Sequence, residues 1–509
     1  MKKGFVYLVG AGPGRADLIT VRGAEVLKAA DCVIYDKLAN PALLTFVRPD
    51  AEIIPVPKRI AKGSFTQDEI NKVLAEKASE GRTVVRLKGG DPCVFGRCTE
   101  ELEVLTEAGI GFEIVPGVTA GVAMAAYAGI MLTDREYSSQ LAFVTGHEAT
   151  GKDQTGIDWD VLARLDGTIV FYMGIGNLET IAQRLIENGK REDTPAAVIA
   201  DATFPTQRIV RAPLSRIREE CERHRIEPPA LVVIGDVADS DPAFNWFMKQ
   251  PLFGKNIVVT RDVAGNADFT GRIISRGGNP VKFATIKIKP LTGSNEFLRT
   301  LAKFTQYDWI IFTSGNGVAV FFDALKALGK DARVFGSAKV AAIGSKTAEK
   351  LAEFGIRADF VPDVFTGREL GRQLTNCTNL HGRKVLLLRS QIASKELAEL
   401  LSEAEAEVDD VAIYTAAEER SESKWLAEEI SGGRIDWLTF ASPSSVDGFF
   451  GQIPVEAVNS GKIRVASIGP VTSARLAESG VTVDLTAAEH TIDGLLNAIE
   501  QEESGNGFF

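Results

Sequence analysis

Histidine and cysteine are scarce, with four and five residues in a chain of 509. The histidines stand at 147, 224, 381 and 490 and the cysteines at 32, 93, 98, 221 and 377. They form no CxxC pair and no ligand spacing, which excludes a zinc site of the finger or ribbon kind, and no metal is expected. The odd cysteine count favours reduced thiols and a cytoplasmic setting. Basic residues are outnumbered, 57 Lys and Arg against 68 Asp and Glu, for a net charge of −11. That balance argues against a general nucleic-acid or anionic-membrane surface, and an anionic small substrate would need a locally positive site. Long apolar runs are also missing. The longest soft stretch, TAGVAMAAYAGIML at 119–132, is short and rich in Ala and Gly, so a buried, closely packed helix is expected in place of a membrane span. Near the start, the glycines from Gly10 to Gly14 interrupt the apolar residues too early for a signal peptide.

The chain is long enough for two or three domains, and 45% apolar with 25% charged residues is ordinary for a globular protein. Composition breaks at ADSDPAFNWFMKQPLFGKN, residues 238–256, which holds Pro242 and Pro251. A boundary near residue 250 separates expected domains at 1–247 and 253–503. Before the break, the short apolar strands FVYLV, CVIY, TVVRL, LAFVT, TIVFY and AAVIA alternate with helical segments, an α/β organisation. Gly10–Gly14, Asp36-Lys37, Lys88–Pro92, Thr145–His147, Met173-Gly174 and Asp201–Thr203 follow these strands. Glycine, proline and aspartate make turns anywhere. Their clustering at carboxyl ends nevertheless points to the edge of an open α/β sheet where ligands bind.

The first of these loops, in VYLVGAGPGRADLIT at 6–20, fits the dinucleotide fingerprint poorly. Arg15 stands where G-x-G-x-x-G requires its third glycine, and Pro13 removes an amide that a pyrophosphate would use. A helix starts only at VRGAEVLKAA, with Thr20 as its N-cap. A ligand held here is expected to lack a pyrophosphate, so a nicotinamide-dependent oxidoreductase is a poor alternative.

After the break the chain repeats itself. GKNIVVTR (254–261) answers to GRKVLLLR (382–389), YDWIIFTSGNGVAVFF (307–322) to IDWLTFASPSSVDGFF (435–450), and VAAIGSKTAEKLAEFGIRADF (340–360) to VASIGPVTSARLAESGVTVDL (465–485). The offsets of 128, 128 and 125 residues, in order, mark an internal duplication. Each repeat reads as a small α/β set, and two such sets enclose a cleft. VKFATIKIK (281–289) and VDDVAIYTA (408–416) are equivalent as well, placing Lys287 opposite Tyr414 in the alignment of repeats.

Taken together, VGAGPG, VIYDKL, RLKGGDPCVFGR, VPGVTA, GIMLTDREY, VTGH and FYMG resemble the uroporphyrinogen-III C-methyltransferases over almost all of residues 4–247. FTSGNGV, AAIGSKTAEKL, FASPSSV, SIGPVTSARL and TIDGLL make the second half similar to uroporphyrinogen-III synthase. The resemblance implies a two-lobed tetrapyrrole-methylase-type α/β domain followed by a two-lobed α/β domain with interleaved lobes. It also implies two consecutive reactions, in which hydroxymethylbilane closes to uroporphyrinogen III and S-adenosyl-L-methionine methylates that product, leaving S-adenosyl-L-homocysteine. A homodimer formed through the methyltransferase half is implied by resemblance alone.

By the same resemblance, Pro13, Gly89, Gly90, Asp91, Val94, Thr119, Ala120, Met173 and Ala202 surround the methyl donor. Asp91 would compensate its positive charge, although a turn-capping aspartate before Pro92 is the plainer role. Arg97 and Arg135, with Glu100 beside the former, match positions at the carboxylate-rich tetrapyrrole. Asp36 and Lys58 match positions that handle protons after methyl transfer. Holding sulfonium and pyrrole carbon in line is worth about 7–11 kcal/mol. Arg15, Cys98-Thr99 and Met131 depart from the residues usual in the family, which bears on substrate placement and turnover more than on reaction class.

In the synthase half, Tyr414 matches a tyrosine proposed as the weak acid at the leaving hydroxyl, whose loss the family tolerates. Thr313, Ser314, Ser442, Ser444 and Thr472 offer hydroxyls for substrate carboxylates, with helix capping as the alternative role for each. The alternative for the whole chain is a methyltransferase of a later corrinoid carrying a non-catalytic tetrapyrrole-binding module.

Overall fold

The computed structural model describes residues 3–48, 50–56, 66–147, 156–260, 263–283, 286–418, 423–461 and 463–505. The chain divides into two compact units, Met1–Asn256 with Arg272–Pro280 and Glu500–Phe509, and Ile257–Gly271 with Val281–Ile499. The division is therefore not a single cut, because two short later segments pack with the first unit.

The first unit holds two five-stranded sheets. In the first, β1 (Phe5–Gly10), β2 (Cys32–Asp36), β3 (Glu52–Val56), β4 (Thr83–Lys88) and β5 (Gly111–Val115) lie in the order β3-β2-β4-β1-β5. All pairings are parallel, so the carboxyl ends of β1, β2 and β4 share one edge. Their apolar runs are those of strands covered on both faces. The edge strands β3 and β5 are less buried, and their sequences, EIIPV with a proline and GFEIV, carry a weaker signal. Helix α1 (Val21–Ala29) begins where expected, with Thr20 Oγ1 accepting from Gly23 N at 3.1 Å. Helix α2 (Gln67–Ser79) opens with a capping box formed by Thr66 and Glu69. Helix α3 (Cys98–Glu107) follows the loop after β4. Helix α4 (Ala120–Ala128) is the buried helix foreseen in TAGVAMAAYAGIML, packing through Gly121, Ala123, Met124, Ala125, Tyr127 and Ala128 and ending at left-handed Gly129.

The second sheet joins β6 (Leu141–Thr145), β7 (Thr168–Tyr172), β8 (Pro195–Ala200), β9 (Arg208–Pro213) and β10 (Ala230–Ile234) in the order β6-β7-β10-β8-β9. β10 runs antiparallel to β7 and β8, and β9 antiparallel to β8, whereas β6 and β7 are parallel. Thus β6, β7 and β8 run the same way, and the loops after them again meet at one edge.

From residue 256 onward the strands are β11 (Asn256–Val259), β12 (Asn279–Lys282), whose first two residues fall in the first unit, β13 (Ile286–Pro290), β14 (Trp309–Phe312), β15 (Lys339–Ala342), β16 (Lys384–Ser390), β17 (Glu407–Glu418), β18 (Trp437–Phe440), β19 (Arg464–Ser467) and β20 (Leu485–Thr486). They form two sheets, β12-β11-β18-β19-β20 and β13-β17-β16-β14-β15. The first and last strands build one lobe and the middle strands the other, so the lobes are interleaved. The duplication survives in atomic detail. Asp359 Oδ2 accepts from Val340 N at 2.8 Å, and in the other repeat Asp484 Oδ2 accepts from Val465 N at 2.7 Å.

The crossing strands β13 and β17 pair antiparallel, Lys287 with Ala417 and Pro290 with Tyr414. Since Lys287 answers to Tyr414 and Pro290 to Ala417, each pair is the other viewed from the opposite repeat. A local pseudo-twofold therefore passes through this ladder. The Lys287 side chain lies outside the described residues.

Candidate active sites

In the first unit the loops after β1 and β4 are clamped together. Gly12 and Gly90 exchange backbone hydrogen bonds of 3.2 and 2.9 Å, and Ala11 N donates to Lys88 O at 2.7 Å. Contact is so close that a Cβ on Gly117 would lie 2.4 Å from Gly90 O, and one on Gly10 2.6 Å from Gly117 Cα. Across from them, buried Thr203 donates to Pro13 O at 2.6 Å and accepts from Arg15 N at 3.1 Å, while Asn40 Nδ2 donates to Gly14 O at 2.8 Å. Of the amides in residues 11–15, those of Ala11, Gly12 and Arg15 are occupied and Pro13 has none. The loop is thus unsuited to a pyrophosphate, and its glycines leave room for close backbone approach to a ligand without phosphate.

Most of the residues matched to the methyl donor gather here. The Asp91 carboxylate accepts from Cys93 N at 2.8 Å and Gly117 N at 2.9 Å, so it ties the β4 loop to the start of the α4 turn. A Cβ on Gly90 would point to Ala120 N at 3.7 Å and Thr119 Cα at 4.0 Å, and one on Gly89 would meet Leu38 Cβ at 2.9 Å. Val94, Ala120 and Ala202 pack against a common cluster containing Tyr172 and Met124. Met173 is exposed, with φ of 56°. Phe95, Arg97, Asp201 and Thr203 also have positive φ, so five of the seven such non-glycine residues described lie in these loops. A concentration of costly backbone conformations in the loops after β4, β7 and β8 is what a shaped site shows.

Tyr172 was not among the expected site residues, although FYMG contains it. Its hydroxyl pairs with Thr119 Oγ1 at 2.9 Å and accepts from Gly121 N at 2.8 Å, and its ring packs on Phe95 and Phe143. Burial pushes its phenol above the usual range, against the opposing effect of the Thr119 bond. One side chain from β7 thereby fixes the N-terminus of α4, where Thr119 and Ala120 stand.

Arg97 and Glu100 form a two-bond ion pair at 2.8 and 3.0 Å on the exposed first turn of α3. Asp36, at the end of β2, receives a 2.6 Å bond from Arg86 Nη2. Arg86 is itself buried and bonds Glu101 at 2.9 Å, which also accepts from buried Lys88 at 2.7 Å. Arg86 and Glu101 went unmarked, and Lys88, expected in the loop after the strand, is the last residue of β4 itself; charges inside the run TVVRLK were a signal that partners must exist. Arg135 is exposed in the turn closed by Asp134 and Ser138. Among the described residues no hydrogen bond or ion pair joins it to Asp36, Arg97 or Glu100. Lys58 lies outside the described residues.

In the second unit Tyr414, buried on β17, bonds Ser314 Oγ at 2.8 Å. Ser314 also accepts from Gly317 N at 3.0 Å, capping helix α5 (Gly315–Ala327) next to half-buried Thr313. Its counterpart Ser442 caps helix α6 (Pro443–Phe450) through Ser445 N at 3.2 Å and meets Ser444 Oγ at 3.1 Å. Thr472 is buried in the first turn of helix α7 (Pro470–Glu478), as its counterpart Thr347 is in the other repeat.

Two family models match the chain, Tetrapyrrole (Corrin/Porphyrin) Methylases over residues 6–218 and Uroporphyrinogen-III synthase HemD over residues 267–497. The porphyrin biosynthesis protein HemD of Ruminiclostridium josui is 37% identical over 509 residues, 99% of each chain. The S-adenosyl-L-methionine-dependent uroporphyrinogen III methyltransferase of Methanosarcina barkeri is 46% identical over 234 residues, 46% of this chain and 92% of that protein. The siroheme synthase of Zymomonas mobilis is 48% identical over 246 residues, 48% of this chain and 51% of that protein.

Proposed function

The chain belongs to the family of the HemD porphyrin biosynthesis protein, joining a tetrapyrrole methylase to a uroporphyrinogen-III synthase, and from this we propose that it closes hydroxymethylbilane to uroporphyrinogen III, inverting the last ring, and methylates that product at C2 and C7 to precorrin-2. Similarity of its first half to siroheme synthases supports an output toward sirohaem, and a product that also feeds cobalamin is compatible with the same chemistry. The observation that carries the methyl-transfer reading is the β1 loop, where Pro13 has no amide and those of Ala11, Gly12 and Arg15 are occupied by Lys88, Gly90 and Thr203, which suits an adenosyl ligand without phosphate.

When bound, S-adenosylmethionine supplies the methyl carbon and departs as S-adenosylhomocysteine. Pro13, Gly89, Gly90, Val94, Thr119, Ala120, Met173 and Ala202 form its cradle, and the Asp91 carboxylate, held by two backbone amides, sets a negative charge beside it. Arg97 and Arg135 attract the carboxylates of the macrocycle, the former oriented by Glu100. Once the new carbon–carbon bond exists, the macrocycle loses a proton, and the Asp36 carboxylate accepts it while Lys58 completes the exchange. In the second unit Tyr414 donates to the departing hydroxyl, which leaves as water when its carbon–oxygen bond breaks. The proton released as the ring closes restores the phenol. Ser314, Thr313, Ser442, Ser444 and Thr472 are the hydroxyl donors nearest the substrate carboxylates in this reading. A cytoplasmic homodimer built through the methylase half completes it.

The test is purified protein with fresh hydroxymethylbilane, with and without S-adenosylmethionine, and products identified by chromatography and mass. Type III macrocycle without the donor and a doubly methylated product with it are expected. Only the type I isomer would sink the synthase assignment, and unmethylated uroporphyrinogen III the methylase assignment. A sedimentation mass near 54.8 kDa, that of a single chain, would rule out the dimer.

A further inference from the structure

β4 places Arg86 and Lys88 two residues apart on one face of the central strand, between neighbours that are otherwise apolar. Both are buried, and so is their partner Glu101 in the first turn of α3. Every part of the Arg86 guanidinium is engaged. Nε meets Glu101 at 2.9 Å, Nη2 meets Asp36 at 2.6 Å, and Nη1 reaches the carbonyls of Ile34 and Leu87 at 3.4 Å each. Glu101 takes a second bond from Lys88 at 2.7 Å and a longer one from Gln67 Nε2 at 3.3 Å, while Asn71 Nδ2 holds the carbonyl of Glu100 at 3.2 Å. Among the described residues the charged groups facing Asp36 are thus Arg86 and Lys88 from β4 and Glu101 from α3, and α2 contributes only the neutral Gln67 and Asn71.

Strand burial alone does not call for this arrangement. Taking four charges from water is costly, and apolar residues of similar volume stabilise a core at least as well. Of the four, only Asp36 keeps an opening to solvent, with 13% of its side chain exposed against 2%, 3% and 0% for Arg86, Lys88 and Glu101. The network therefore ends at one accessible carboxylate. Through Glu101 it is also bolted to the helical turn that carries Arg97 and Glu100.

We propose that Arg86 is a positioning residue for methyl transfer: anchored by Glu101, it fixes the Asp36 carboxylate as proton acceptor and sets it in register with the Arg97–Glu100 turn. This rests on the methylase reading given above. In the proton-transfer step a C–H bond of the methylated macrocycle breaks, its electron pair stays in the ring system, and the proton passes to Asp36. Arg86 keeps its own protons throughout.

The test measures kcat, and KM for S-adenosylmethionine, in methylation of supplied uroporphyrinogen III for the wild type, Arg86→Met, Arg86→Lys and Asp36→Asn, with S-adenosylhomocysteine binding as the check of an intact fold. Without the guanidinium the carboxylate is no longer aimed at its proton, so kcat in Arg86→Met falls by roughly 100-fold while KM stays within about twofold. Arg86→Lys keeps the charge but reaches one partner at a time, so kcat falls about tenfold. Arg86→Met that binds S-adenosylhomocysteine with a wild-type kcat overturns the proposal, and so does one whose KM rises in step with the loss of kcat. Should that variant not fold, a wild-type kcat in Arg86→Lys overturns it equally. Asp36→Asn that keeps its rate removes Asp36 from the reaction and the proposal with it, while methylase activity stands. A wild type that never methylates fails at the earlier reading.

Discussion

Replacing Tyr172 by phenylalanine removes one oxygen and leaves Gly121 N–H and the Thr119 hydroxyl without the partner they share in a buried setting. Leaving such groups unpaired costs about 1–3 kcal/mol, so Tyr172→Phe should lower thermal stability and weaken S-adenosylhomocysteine binding by roughly tenfold, both measurable by calorimetry. The sign of the alkaline effect follows from burial, which raises the folded-state value of this phenol above its ordinary 10. The folded protein then holds the proton more tightly than the unfolded chain does. That stability is fully present below pH 10 and is lost as pH rises through the folded value. Tyr172→Phe should lack this share of the alkaline loss in unfolding measured from pH 9 to 11. Asp91 shows how a residue can stand at its expected place and do more there than expected. Its turn-capping role, through Cys93 N, coexists with a bond to Gly117 N that no sequence spacing announces.

At the scale of elements, the loops after β1 and β4 meet the turn before α4, and glycine permits it. Gly117→Ala would drive a Cβ to 2.4 Å from Gly90 O and 2.8 Å from Gly10 Cα, all backbone that cannot step aside. A loss of about 1–3 kcal/mol in unfolding free energy and of methyl-donor binding is expected. Gly271→Ala, on a helix where nothing lies within 4 Å of the new Cβ, should instead gain roughly 0.5–1 kcal/mol. Elements with strong local codes were legible in advance. β1, β2 and β4 are apolar runs, α1 has Thr20 to start it, and α4 is apolar all round. β3, β5, β9 and β10 were not marked. The first three mix buried with exposed residues or carry proline, and ALVVI follows Pro228-Pro229, which separates it from the short helix of Ile217–Arg223 before it.

For the whole molecule, each unit contains its own chemistry, so damage to one should spare the other. Ser314→Ala removes one hydrogen-bond partner of Tyr414 and the cap of α5, and should slow cyclisation of hydroxymethylbilane by about tenfold while methylation of supplied uroporphyrinogen III stays within about twofold. A parallel fall in both rates would mean that the units do not act independently. The sequence by itself determined the α/β class, the duplication and a first loop in which Pro13 takes the place of an amide, because each is written in local terms: period, a repeated string, a missing donor. Tertiary structure alone decided that Tyr172 secures Thr119, that Thr203 pins the Pro13 loop, and that Arg86 and Glu101 join Asp36 to the turn of Arg97. Those partners stand from 15 to 190 residues apart, and the need to satisfy a buried charge or hydroxyl says that a partner exists without saying which residue the fold brings to it.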